Sequence, residues 1–354
     1  MPDAMEFEPA PLEMETVLNP AWLERALCRD GQLVEIEKVE LVETIGWNCL
    51  NLRVKLTFAD RGQPEGLPER LCIKGLFGEQ HPEYLKNGAL VADTLFYTEV
   101  LPRITMKAPR CYYGGVDERG SGVVVLEDLT ERDVRFFDHR TALTLDQVRD
   151  TLDQLARLHG GMSNMRPDEL PWLRDKLDVF SIPIAVTPER LSEAMHGQRG
   201  DPLPEKQKDG SRIYNGLKAL ARRAEQLPVT AIHGDCHIGN IFETEGSFGF
   251  IDFQIVQRGH WSLDLPYHIG SVLTVEDRRA KERDLVRYYL DRLGDHGGDP
   301  PDFETAWRLY REGAAYGFFL WSVTMRVDAP IVNEAVKRLG LLVADHDSYG
   351  LLGL

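Results

Sequence analysis

His233-Gly234-Asp235-Cys236-His237-Ile238-Gly239-Asn240, followed shortly by Ile251-Asp252-Phe253-Gln254, decides how the rest of the chain is read. Polar residues stand here at the edges of apolar, β-type stretches, where a rigid scaffold aims them. Residues 229–254 read as two short strands joined by a hairpin, with its turn at Glu245-Gly246-Ser247. Asp235 and Asn240 lie five positions apart, and Asp252 follows Asn240 by twelve. Two carboxylates and an amide offer oxygen, the donor that hard magnesium prefers. His237 offers nitrogen instead and reads as a supporting residue, while His233 reads as a hydrogen-bonding member of the loop. The plain alternative is a strand-end cluster that caps turns or holds some other metal.

The Asp-to-Asn spacing is that of the catalytic loop H-R-D-x-x-x-x-N, and Asp252 stands where the metal-binding Asp of D-F-G would. Phosphoryl transfer uses such a set for a physical reason. One carboxylate orients the attacking hydroxyl and accepts its proton. A second carboxylate and an amide hold magnesium across phosphates whose charge otherwise repels the nucleophile.

Outward from this loop, 354 residues with 43% hydrophobic and 28% charged side chains can bury a large core, and length alone suggests about two domains. That composition excludes a disulfide scaffold, a collagenous repeat and a largely disordered chain. With 57 acidic against 41 basic residues the formal charge is −16, which makes nucleic acid a poor partner. Cys28, Cys49, Cys72, Cys111 and Cys236 include no C-x-x-C pair, so reduced thiols fit best. No apolar run reaches membrane-spanning length, and the acidic N-terminus lacks the layout of a secretory signal. The expectation is a soluble, cytoplasmic protein.

Residues 1–17 read as a mobile tail, and Asn19-Pro20 as the cap and first turn of a short helix. Alternation over 34–37 and 50–56 predicts strands around the turn Ile45-Gly46-Trp47-Asn48-Cys49, with further strands at Arg70–Lys74 and Gly122–Glu127 and a helix over 84–101. Beyond Leu129 the pattern turns helical. Thr144 caps a segment ending at Gly160-Gly161, and further helices are predicted at 187–196, 211–226, 276–294, 302–327 and 330–344. The expected fold is α+β: a small lobe, 18–127, with an antiparallel sheet, and a larger, mainly helical lobe, 128–354.

H-G-D-x-x-x-x-N followed by I-D-F resembles the aminoglycoside phosphotransferase and choline kinase-like superfamily, whose members have a bilobal, protein-kinase-like fold. Val125-Leu126-Glu127-Asp128-Leu129 and Leu95-Phe96-Tyr97 look most like its acyl-CoA-dehydrogenase-associated and ecdysteroid kinase-like branches. The resemblance implies that Asp235 is the catalytic base, that Asn240 and Asp252 bind magnesium, and that Asp264 is structural. In the small lobe, Leu71-Cys72-Ile73-Lys74 resembles the strand whose lysine reaches the nucleotide phosphates, although a lysine ending an apolar strand is otherwise an ordinary snorkelling residue. Its carboxylate partner is Asp93 or, failing that, Glu99. Gly46 sits where a phosphate-covering loop belongs, without the G-x-G-x-x-G pattern. The Glu127 carbonyl and Leu129 amide stand where the hinge meets adenine.

Gly234 replaces the arginine that reads a phosphorylated activation segment, and no A-P-E follows Asp252. A protein substrate is therefore disfavoured. The expected activity is ATP- and magnesium-dependent transfer of the γ-phosphate to a small hydroxylated molecule, touched by parts of 165–215, 258–270 and 303–327. Trp172, His260, Trp261, Tyr267, Tyr316 and Trp321 in those regions read as core. A non-catalytic nucleotide-binding protein on the same fold, and a metal-dependent phosphoesterase using Asp235 and Asp252, are the alternatives.

Overall fold

The structure, a computed structural model, describes residues 7–28, 32–46, 49–60, 62–77, 85, 88–166, 168–175, 177 and 187–354. The chain divides into two compact units. One gathers residues within 1–102, 108–134 and 252–254; the other gathers 103–107, 135–251 and 255–354. The expected division at residue 127 is thus corrected in three places. Residues 128–134 and 252–254 join the first unit, and 103–107 the second.

In the first unit a five-stranded antiparallel sheet runs in the order β1-β2-β3-β5-β4. Its strands are β1 (Ile36–Gly46), β2 (Leu50–Phe58), β3 (Arg70–Gly75), β4 (Cys111–Val116) and β5 (Gly122–Glu127). Because successive side chains alternate across a sheet, Leu52, Val54, Leu56, Leu71, Ile73, Val123 and Val125 share one face. All are buried with Trp22, Leu23 and Leu27, and each such aliphatic side chain contributes about 2 kcal/mol through burial. Trp22 belongs to α2 (Pro20–Leu27), where Asn19 accepts the Ala21 amide at 2.9 Å.

Residues 7–17 correct the reading of a mobile tail. They include the short helix α1 (Met14–Val17), and Ala10 and Val17 are fully buried. Trp22 donates its indole N–H to the Glu8 carbonyl, and Tyr113 its hydroxyl to that of Pro9. Residues 1–6 of that reading lie outside the described residues. The helix expected over 84–101 is α3 (Ala89–Leu95), continued by a π-turn at Phe96–Val100; residues 84, 86 and 87 lie outside the described residues.

Apart from 103–107, the second unit runs from Arg135, within β6 (Val134–Phe136), and is mostly helical: α4 (Leu145–Gly161), α5 (Pro188–Met195), α6 (Gly210–Ala224), α7 (Asp264–Val272), α8 (Val275–Asp295), α9 (Phe303–Val323) and α10 (Ala329–His346). Thr144 and Gln147 close a capping box on α4. Three short strands fall in 229–254, not two. Thr230–Ile232 (β7) precedes the hairpin of Ile241–Thr244 (β8) and Ser247–Phe250 (β9), and β7 pairs with Gln257–Gly259 (β10). Glu245 and Gly246 both adopt positive φ at the hairpin turn, as a two-residue type I′ connection demands. Helix α7 was not expected. All nine of its residues are buried, so it has no polar face to impose a helical period. Among the described residues no helix is long and apolar enough to cross a membrane.

Candidate active site

In the first unit the apolar register of β3 puts Leu71 and Ile73 into the core and leaves Cys72 and Lys74 on the opposite face. The Lys74 ammonium lies 3.0 Å from Asp93 Oδ2 and donates to Asp252 Oδ1 at 2.8 Å. Burial alone would lower the Lys74 pKa, but the two carboxylates raise it above the usual lysine value, so the group stays charged. Asp93 projects from α3 and is fully buried; its other oxygen accepts the Phe253 amide at 2.7 Å. The Phe253 ring stacks on Phe96, with centroids 3.5 Å apart. Asp93 is therefore the carboxylate that meets Lys74. Glu99 lies beyond it in the π-turn. Asp252 itself has left-handed backbone, φ 65°.

Gly46 closes β1 with φ 110°. Trp47 and Asn48 of the expected covering turn lie outside the described residues. Next to them, the Cys49 thiol, which burial pushes up to about 11, faces Gln254 Oε1 at 3.7 Å. At the end of β5, Glu127 accepts the Arg110 amide at 2.8 Å and pairs with Arg132. Asp128 caps a single 3-10 turn beginning at Leu129 and accepts Arg53 at 3.0 Å. Arg53 also donates to Glu43 at 2.6 Å and to Thr130.

In the second unit the loop between β7 and β8 carries Asp235 and Asn240. Its entry is pinned by Asp264, whose two oxygens accept the His233 and Gly234 amides at 2.7 and 3.0 Å. Burial opposes ionisation of Asp264, yet the nearby His159 and the Gly234 amide hold its pKa below the usual carboxylate value. Gly234 has φ 80°, and a Cβ there would strike the Ile255 carbonyl oxygen, so the turn requires glycine.

Beyond this turn the Asn240 amide nitrogen donates to the Asp235 carbonyl at 2.9 Å and to its Oδ2 at 3.3 Å, which turns Asn240 Oδ1 away from Asp235. The Ile251 amide donates to the Asn240 carbonyl at 3.0 Å, and Asp252 is the next residue along the chain. His237 accepts the Gly239 amide on Nδ1 and has Nε2 3.7 Å from Asp235 Oδ2. Asp264 thus takes the structural place that the resemblance implies.

A scan against family models matches residues 52–298 to the ecdysteroid kinase-like family. The chain belongs to that family. An uncharacterized kinase-like protein of Caenorhabditis elegans is 26% identical over 216 residues, or 54% of this ecdysteroid kinase-like chain and 53% of that protein. The chain therefore spans about half the length of the curated relative it matches. Among solved structures, choline kinase from Cryptosporidium parvum is similar over 94% of this chain and 93% of its own, with 13% identity and a TM-score of 0.54. The GDP and kanamycin complex of APH(2″)-IIIa is similar over 88% and 95%, with 14% identity and a TM-score of 0.51. These likenesses establish a protein-kinase-like fold of mixed α+β composition.

Two side chains at this ecdysteroid kinase-like loop were read from the sequence only as core. Tyr267 of α7 donates its hydroxyl to Asp235 Oδ1 at 2.8 Å, and Tyr316 of α9 donates to the Gly234 carbonyl at 2.7 Å. Burial, then the neighbouring Asp235, raises the Tyr267 pKa well above the usual phenol value. Nothing local in sequence separates these tyrosines from their buried aromatic neighbours.

Proposed function

We propose that the chain is an ATP- and magnesium-dependent phosphotransferase whose acceptor is a hydroxyl of a small molecule. The observation that carries this reading is the pairing of Asn240 with Asp235. One amide group braces the carboxylate through nitrogen and keeps its oxygen for a cation. Asp235 takes the proton of the acceptor hydroxyl as that oxygen attacks the γ-phosphorus. The bond to the β-phosphate oxygen breaks, giving a phosphate monoester, ADP and a proton.

The donor chemistry fits magnesium. Asn240 Oδ1 and the Asp252 carboxylate are hard oxygen ligands, and Asp252 already has a cation, Lys74, at 2.8 Å. Among the described residues no cluster of three or more His, Cys, Asp or Glu side chains forms a ready-made metal cage. That favours an ion completed by substrate phosphates and water. Once bound it supplies charge neutralisation across the phosphates. Lys74, held by Asp93, serves the phosphates; backbone at Gly46 covers them; the Glu127 carbonyl and the Leu129 amide serve the base. As the first residue of a 3-10 turn, Leu129 has an amide with no acceptor inside that turn.

The test is magnesium-dependent ADP release from ATP with choline, ethanolamine, kanamycin and an ecdysteroid as separate acceptors, and with water alone. The expected result is release stimulated by at least one acceptor and abolished by Asp235→Ala, with nucleotide binding retained. Wild-type turnover in Asp235→Ala, or phosphoester hydrolysis without ATP as the only activity, would sink the reading.

A further inference from the structure

We propose that Trp321 and Tyr267 form a donor relay that fixes the direction of the Asp235 carboxylate. Tyr267 is then a positioning residue of the phosphoryl transfer argued above, and the inference rests on that reading. The relay has one direction for a chemical reason. An indole N–H can only donate, and Trp321 Nε1 donates to the Tyr267 hydroxyl oxygen at 2.9 Å. A phenol has a single proton, and with Trp321 donating from one side that proton goes to Asp235 Oδ1 at 2.8 Å. Oδ1 is thereby committed. Oδ2, beside Asn240 at 3.3 Å and His237 at 3.7 Å, is the oxygen that meets the acceptor hydroxyl.

The surrounding fold is shaped around this pair. Tyr267 is fully buried and Trp321 nearly so, while the Asp235 side chain keeps 29% exposure. A Cβ at Gly317 would collide with the Tyr267 ring, so α9 provides both the recess for the ring and, four residues on, the indole that orients its hydroxyl. A second relay of the same kind holds the preceding residue. Gln257 Nε2 donates to the Tyr316 hydroxyl at 3.1 Å, and Tyr316 donates to the Gly234 carbonyl. Consecutive residues are thus fixed by two tyrosines, one through backbone and one through a carboxylate.

The experiment compares full-length wild type, Tyr267→Phe, Trp321→Phe and the double variant with ATP and the best acceptor of the panel above, water included. Tyr267→Phe is expected to lower kcat about tenfold or more while the ATP KM stays within about threefold, the signature of an interaction used in the chemical step. Trp321→Phe leaves the phenol in place but frees its rotor, so kcat falls less. The double variant is expected to be no slower than Tyr267→Phe: the indole N–H acts through the phenol, and a phenylalanine at 321 keeps an aromatic ring for the edge-on contacts with His237 and His139. If Tyr267→Phe does not fold, Trp321→Phe alone decides, by a fall in kcat at unchanged ATP KM. Wild-type kcat in Tyr267→Phe, or fully additive losses in the double variant, overturns the relay. An inactive Asp235→Ala beside a fully active Tyr267→Phe removes only the relay. An active Asp235→Ala, or a wild type that releases no ADP in any arm, removes the phosphotransferase reading itself.

Discussion

Asp93 answers two donors from inside the protein, the Lys74 ammonium and the Phe253 amide. Asp93→Ala would leave a buried ammonium with only the half-exposed Asp252 and orphan the amide. Loss of one partner of a buried pair is strongly destabilising, and about 3 kcal/mol is expected from urea denaturation of the variant. Asp93→Asn keeps an oxygen for Phe253 and should lose less; equal stability of Asp93→Ala and wild type would contradict this account. At this scale the sequence spoke most clearly where chemistry demands a residue type at a fixed local spacing. Asp235 and Asn240 are readable because one short loop holds both. Asp93 could be named beside Glu99, but only the turn of α3 distinguishes them. Tyr267 meets the Asp235 carboxylate from 32 positions downstream and Trp321 meets Tyr267 from 86 positions downstream of Asp235, and nothing in their own neighbourhoods records it.

Helix α9 shows how one element can set a site it does not belong to. Gly317 sits against the Tyr267 ring, so Gly317→Ala adds a methyl to a filled space and is expected to cost about 1–3 kcal/mol. Because the displaced group is the ring that donates to Asp235, turnover should fall in protein that remains folded. Thermal melts with kinetics on the same sample check this, and unaltered turnover would show that the ring shifts without consequence. Amphipathic helices such as α4 were legible from their period and caps. Helix α7 was not, because burial on every side erases the contrast that periodicity measures. Residues 7–17 misled for the opposite reason. Their Pro- and Glu-rich composition reads as tail, while Ala10, Val17 and carbonyl contacts to Trp22 and Tyr113 tie them to the sheet.

For the whole molecule, buried histidines set an acid limit to stability. Burial lowers the pKa of His268 to about 4 and that of His260 to about 3. Both lie below the free imidazole value, so between about pH 6.5 and 4 the unfolded chain binds more protons than the folded one. The stabilisation is complete above about pH 6.5 and is lost as the pH falls, by up to about 2.7 kcal/mol per pH unit for the two groups together. Asp153 adds a later loss. Burial works against its charge, but His296, Arg292 and Arg157 hold its pKa at about 2, so its contribution fades below about pH 4. Denaturation midpoints at pH 7.5 and 5.5 test the first effect, and equal midpoints would refute it. The loop between β7 and β8 also carries its own clock. Cys236 is fully buried and donates its thiol to the Asp264 carbonyl at 3.3 Å, whereas Cys28 is exposed. A disulfide reagent can reach Cys236 only when the loop opens, so its labelling is the slowest phase of thiol modification. The rate of that phase divided by the labelling rate of an exposed thiol such as Cys28 gives the opening equilibrium of the loop.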